Sequence, residues 1–222
     1  MEPPSQSTPV EFSGEIVAVK ARIRLLRSYD QVSHAYQGYT LVMKGEVGGV
    51  RNEFFKVGVG PAAHAKNGFR RGDKLTGRAV PVAHPTTEWA DYYRTSKLKI
   101  VERGPLSEVR PADPEGGIAP PIEVYRANGH RRLESRTCST VCVACPFGLT
   151  MPTEITIDQW NPQAVKWRFE THCYGPKECP RYKPGAPRKV QGRKPDMVWI
   201  DDDVERSAGG AVHSEPEGGE LA

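Results

Sequence analysis

The sequence predicts a mainly β protein with a small metal-binding module. Three observations carry this: segments in which apolar residues alternate with polar ones, 22 glycines and 20 prolines among 222 residues, and five cysteines, three of them within eight residues. Gly and Pro at that frequency favour short strands and many turns over long helices. A helical bundle is not expected on the same ground.

The first 13 residues, "MEPPSQSTPVEFS", read as a disordered N-terminus. From Gly14 to Arg103 the order of elements is specific. "EIVAVKARIRLLR" places Val17, Val19, Ala21, Ile23 and Leu25 on one face and Lys20, Arg22 and Arg24 on the other, which predicts a half-buried strand with a basic outer face. "GYTLVMKGEV" and, after the Gly48-Gly49 turn, "VRNEFFKVGV" predict a second and third strand. "GPAAHAKNGF" predicts a short helix, with Pro61 at its start and Asn67-Gly68 at a left-handed stop. "RRGDKLTGRAVPV" and "SKLKIVER" supply a fourth and a fifth strand.

The order β-β-β-α-β-β over residues 14 to 103 resembles the OB-fold, a five-stranded partly open barrel. The resemblance implies a ligand face on strands one to three, where members of that superfamily place oligonucleotides or oligosaccharides. Lys20, Arg22 and Arg24 would stand on that face. Tyr36, Tyr39, Phe54 and Phe55 lie on or beside strands two and three, where exposed rings stack on bases. Phe54 and Phe55 point to opposite faces, so one of the two is expected outside.

Residues 104 to 121 hold five prolines and three glycines and read as a linker. The module from 122 to 182 contains all five cysteines and two predicted strands, "PTEITIDQW" and "AVKWRFETHC". So few aliphatic residues bury too little surface to fold without a metal. Cys142-x2-Cys145 is a strong ligand spacing and Cys173-x5-Cys179 a weaker one, and the pairs flank the predicted hairpin as in a zinc ribbon. Zinc held by Cys142, Cys145, Cys173 and Cys179 is therefore the expected cofactor, with Cys138 and His172 as further candidate ligands. An iron–sulfur cluster is the alternative, because Cys138-x3-Cys142-x2-Cys145 gathers three thiolates and both Cys145 and Cys179 precede proline. The same spacing resembles that of radical SAM enzymes, whose large α/β barrel has no counterpart here. In the third alternative the cysteines are small apolar residues without metal.

Residues 183 to 195 read as a basic arm with Arg188, Lys189, Arg193 and Lys194 as phosphate contacts, and 196 to 222 as an acidic disordered tail. The tail carries eight acids against Arg206, a net of −7, so a formal total of +4 leaves the body at +11. Such a body points to a polyanionic partner.

Together these features predict a nucleic-acid-binding protein for single-stranded or structured RNA or DNA. Alternatives are a protein-interaction subunit of a larger complex, an iron–sulfur redox protein, and a relative of acyl-CoA-binding proteins, which carry a zinc ribbon before an OB domain. No nucleophile and base stand out, and the zinc deaminase, Walker A and Rossmann patterns are absent, so nothing indicates an enzyme. "MEPPSQSTPVEF" has neither a basic n-region nor an apolar h-region, and no window approaches the ~18 apolar residues of a membrane span. A cytoplasmic protein without a membrane partner is expected.

Overall fold

The computed structural model describes residues 8–28, 31–105, 118–158, 160–161, 163–191 and 198–200. In order they form β1 (Val10–Arg27), β2 (Val32–Val47), β3 (Val50–Val59), α1 (Pro61–Asn67), β4 (Lys74–Pro81), a 3-10 turn at Pro85–Thr87 and β5 (Tyr92–Glu102). There follow α2 (Ile122–Asn128), β6 (Arg131–Arg132), α3 (Ser135–Thr140), β7 (Gly148–Thr156), β8 (Val165–Cys173), β9 (Lys189–Gln191) and β10 (Val198–Ile200). The chain is mainly β, as expected. Among the described residues no helix is long and apolar enough to cross a membrane.

β1 organises the sheet. It pairs antiparallel with β2 along its length and with β4 from Val10 to Glu15, while β2 pairs with β3, β3 with β5 in parallel, and β5 with β4. Each of the first five strands thus has two neighbours among the five, and the pairing returns to β1. α1 bridges β3 and β4 and stops at Gly68, which adopts φ 54° and ψ 51°, the left-handed conformation that glycine takes without strain.

A bulge at Val17 resets the alternation of β1. Ile16 pairs with Met43 and Ala18 with Val42, so Val17 is an extra residue. Phe12 and Ile16 enter the core before it; Val19, Ala21, Ile23 and Leu25 enter after it, and Val17 is only half-buried. Upstream of the bulge β1 and β2 approach closely at Gly14 and Gly45, which face each other. A Cβ at Gly14 would lie 2.3 Å from the Lys44 carbonyl oxygen.

The cysteine-bearing segment is part of this body. β7 joins β1 in parallel, Leu25 against Thr153 through Arg27 against Ile155, and then pairs with β8, so eight strands form one sheet. One apolar cluster contains Ile16, Ile23, Leu41 and Val57 together with Tyr125, Phe147, Met151 and Tyr174. The strands of the cysteine-bearing segment thus share one apolar cluster and one sheet with the first five. Val10 to Ser13 also belong to β1 and not to a disordered terminus. The basic arm and the start of the acidic segment meet as the antiparallel pair β9 and β10, with Trp199 opposite Val190. Residues 1–7, Arg193, Lys194 and 201–222 lie outside the described residues.

Gly14→Ala should destabilise the fold by roughly 1–3 kcal/mol, because the new methyl group meets backbone and no flexible side chain can yield. Urea unfolding checks this; wild-type stability would show that β1 and β2 can separate at no cost.

Candidate metal centre

Lys20 extends from β1 on the side opposite Val19 and Ala21. The β7–β8 layer covers that side, and Lys20 is 4% exposed. Its Nζ donates to three carbonyls of one loop: Cys142 at 2.9 Å, Cys145 at 3.1 Å and Gly148 at 2.5 Å. Three ammonium protons meet three acceptors.

The loop so held carries the thiols. Cys138 lies on α3, whose last turn continues as Val141 N–H and Cys142 N–H donate to the Thr137 carbonyl. A tight turn follows, with Cys145 N–H donating to the Cys142 carbonyl at 3.2 Å. Gly148 then opens β7 directly opposite Cys173, the last residue of β8. A side chain at Gly148 would place its Cβ 2.7 Å from that of Cys142, so glycine is required for the loop to close. Cys138, Cys142 and Cys173 are buried in one cluster with Leu133, and Cys145 packs against it.

Two of these sulfurs accept backbone amides. Gly175 N–H reaches the Cys173 Sγ at 3.4 Å, and the amides of Phe147 and Gly148 favour the charged form of Cys145. Such donors stabilise a thiolate. Against them stands burial, the leading cause that raises all four thiols, with Cys142 pushed up to about 11 by burial and then by its neighbours Cys145, Cys138 and Cys173. Burial pulls Lys20 down, while Cys138, Cys145 and Cys142 act in the opposite sense. A cation that replaces the thiol protons would relieve both.

Of the expected ligands, Cys142, Cys145 and Cys173 stand in this group, as does Cys138, a further candidate; Cys179 is half-buried in the turn after Cys173 and acts on its thiol. His172 points away from the thiols, as alternation along β8 requires, with its ring 5.0 Å from that of His130. As the side chains stand, no three His, Cys, Asp or Glu groups among the described residues are spaced to hold one ion.

The residues expected on a nucleic-acid face are mostly engaged elsewhere. Lys20 is buried under the loop. Arg22 forks onto Glu88, with Nε–Oε1 at 3.1 Å and Nη2–Oε2 at 2.5 Å. Arg24 lies 3.9 Å from Glu154 and 5.0 Å from the centroid of the Trp167 ring. Tyr39 and Phe55 are in the core. Phe54 is the exposed ring of the pair, on a groove of about 900 Å³ with Lys44, Arg51 and Lys74, and Arg188 and Lys189 are exposed. Glu88 and Glu154 were not legible as partners because they lie far from Arg22 and Arg24 in sequence.

Beside the thiols, His34, His130 and His172 stack edge to face, with centroids 4.5 and 5.0 Å apart. Burial, then the charges of His34 and Arg132, lowers His130 from 6.5 to about 3. The folded chain therefore resists a proton that the unfolded chain accepts below 6.5, so stability is full above that pH and falls as pH drops toward 3. The expected loss from His130 is about 1.4 kcal/mol per pH unit within that window. Urea unfolding at several pH values between about 7 and 5 tests this, with His130→Gln flattening the slope; a slope that His130→Gln leaves unchanged would contradict it.

No family model matches the chain, and neither a curated protein nor a solved structure is significantly similar to it.

Proposed function

We propose that this chain is an iron–sulfur protein whose cluster is held by Cys138, Cys142, Cys145 and Cys173, seated against an OB-like barrel formed by β1 to β5. The observation that carries this reading is the burial of Cys138 in the same group as Cys142 and Cys173, with Cys145 packed against it, under the Lys20 ammonium. A single zinc ion with bonds of about 2.3 Å would require its four sulfurs roughly 3.8 Å apart. A cluster in which different thiolates bind different irons accepts a wider spread, and Cys138-x3-Cys142-x2-Cys145 with Cys173 distant is one residue short of the C-x4-C-x2-C…C spacing of such clusters. Four thiolates leave either centre net negative, and Lys20 supplies a buried counter-charge.

The role that fits is one-electron transfer, the centre accepting an electron from a reduced partner and passing it to an oxidised one. Val141 and Val143, 50% and 37% exposed, present an apolar edge of the cysteine loop to such a partner. Nucleic-acid binding through the face of β1 loses support, because Lys20, Tyr39 and Phe55 are buried and Arg22 and Arg24 are paired.

Anaerobic purification with iron, sulfide and zinc analysis tests the reading. Wild-type protein should be brown, with a visible band bleached by dithionite. Cys138→Ser should lose that band and Cys179→Ser should keep it. Colourless protein with one zinc per chain would replace the cluster by a zinc centre, and metal-free protein would overturn both.

A further inference from the structure

The arm after the cysteine centre is docked. Leu133 and Pro184 form a bridge, Glu134 N–H donates to the Lys183 carbonyl at 2.9 Å, and Gly185 N–H donates to the Arg132 carbonyl at 3.1 Å. Gly185 approaches so closely that a Cβ there would lie 2.7 Å from the Leu133 carbonyl oxygen. This contact fixes the direction of the chain into Arg188. Between the arm, the start of α3 and β8 lies a cavity of about 280 Å³, lined by Arg132, Glu134, Ser135, Arg136, Thr171 and Arg188 among others.

Its charge is one-sided. Arg132 is buried and pairs with the fully buried Glu170 at 2.7 Å, and Glu170 is shared with Arg168. Glu134, the one acid in the lining, accepts the Thr137 hydroxyl. Arg136 and Arg188 are exposed, and among the described residues no carboxylate stands in ion-pair contact with either. Three arginines thus line one small cavity against one lining carboxylate, with Arg132 already paired to Glu170 and with Arg136 and Arg188 exposed. The Ser135 and Thr171 hydroxyls stand 3.3 Å apart at the same place, with the Thr171 proton directed to the Leu133 carbonyl.

Several arginines with hydroxyl groups beside them suit an oxyanion with several acceptor oxygens better than a single planar carboxylate. We propose that this cavity is a binding site for a phosphate group, carried by a nucleic-acid backbone or by a small phosphorylated molecule. It shares Leu133 but no cysteine with the thiol cluster, and it does not depend on the metal reading. The basic arm therefore contributes one preformed subsite through Arg188.

Calorimetric titration of the full-length protein with inorganic phosphate, at low chloride concentration, tests the site. Wild type should bind phosphate, and the Arg136→Ala/Arg188→Ala double variant should bind it about tenfold or more weakly. Both arginines are exposed, and unchanged circular dichroism would show the variant folded. A short single-stranded oligonucleotide that displaces phosphate identifies a backbone phosphate as the ligand. Failure to displace it, with phosphate binding intact, identifies a small phosphorylated molecule, and both results support the site. Absence of phosphate binding, or equal binding by the double variant, would overturn it.

Discussion

The ammonium of Lys20 is the interaction on which the rest of this structure depends. Burying such a charge costs several kcal/mol even after relaxation, so a lysine at 4% exposure must be compensated locally. Carbonyls of Cys142, Cys145 and Gly148 provide that compensation and are fixed by it. A residue in the longest strand thereby holds a loop more than 120 positions away. The loop cannot adopt another path without leaving a buried charge unsolvated. The same ammonium lies where the thiols of Cys138, Cys142 and Cys145 feel it, so the contact that shapes the site also favours negative charge there.

That contact depends on the phase of β1, which Val17 sets. Without the extra residue at the bulge, continuous alternation from Phe12 and Ile16 would carry Ala18 and Lys20 inward, in place of Val19 and Ala21. The bulge sends the apolar residues into the ring of β1 to β5 and sends Lys20 toward the β7–β8 layer. β1 also extends past β4, whose pairing ends at Glu15, and its far end accepts β7. Length and phase of one strand thus join the half formed by β1 to β5 and the thiol-bearing half over a shared core.

Much of the first half was legible in sequence because its signals are local. β3 spans Val50–Val59 as read, and α1 starts at Pro61 and stops at Gly68 for the expected reasons. Lysine and arginine usually mark water, so in sequence the side of β1 opposite the core reads as solvent-facing. Alternation identifies two faces, but cannot tell solvent from a second layer 120 residues later. Parity left Phe54 and Phe55 undecided; pairing of Phe55 with Met43 in the core decides it. Cysteine spacing likewise does not show that Cys138 is buried with Cys142 and Cys173, which depends on the turn of α3 and on the register that sets Gly148 opposite Cys173.

The most direct test of the central claim is amide hydrogen exchange on Lys20→Met, whose side chain keeps most of the apolar volume and removes the charge. Loss of protection confined to residues 138–148, with β2 and β3 as protected as in wild type, is the result expected if Lys20 anchors the thiol loop. Wild-type protection of that loop in Lys20→Met would contradict it, and would leave the burial of Lys20 without a structural role.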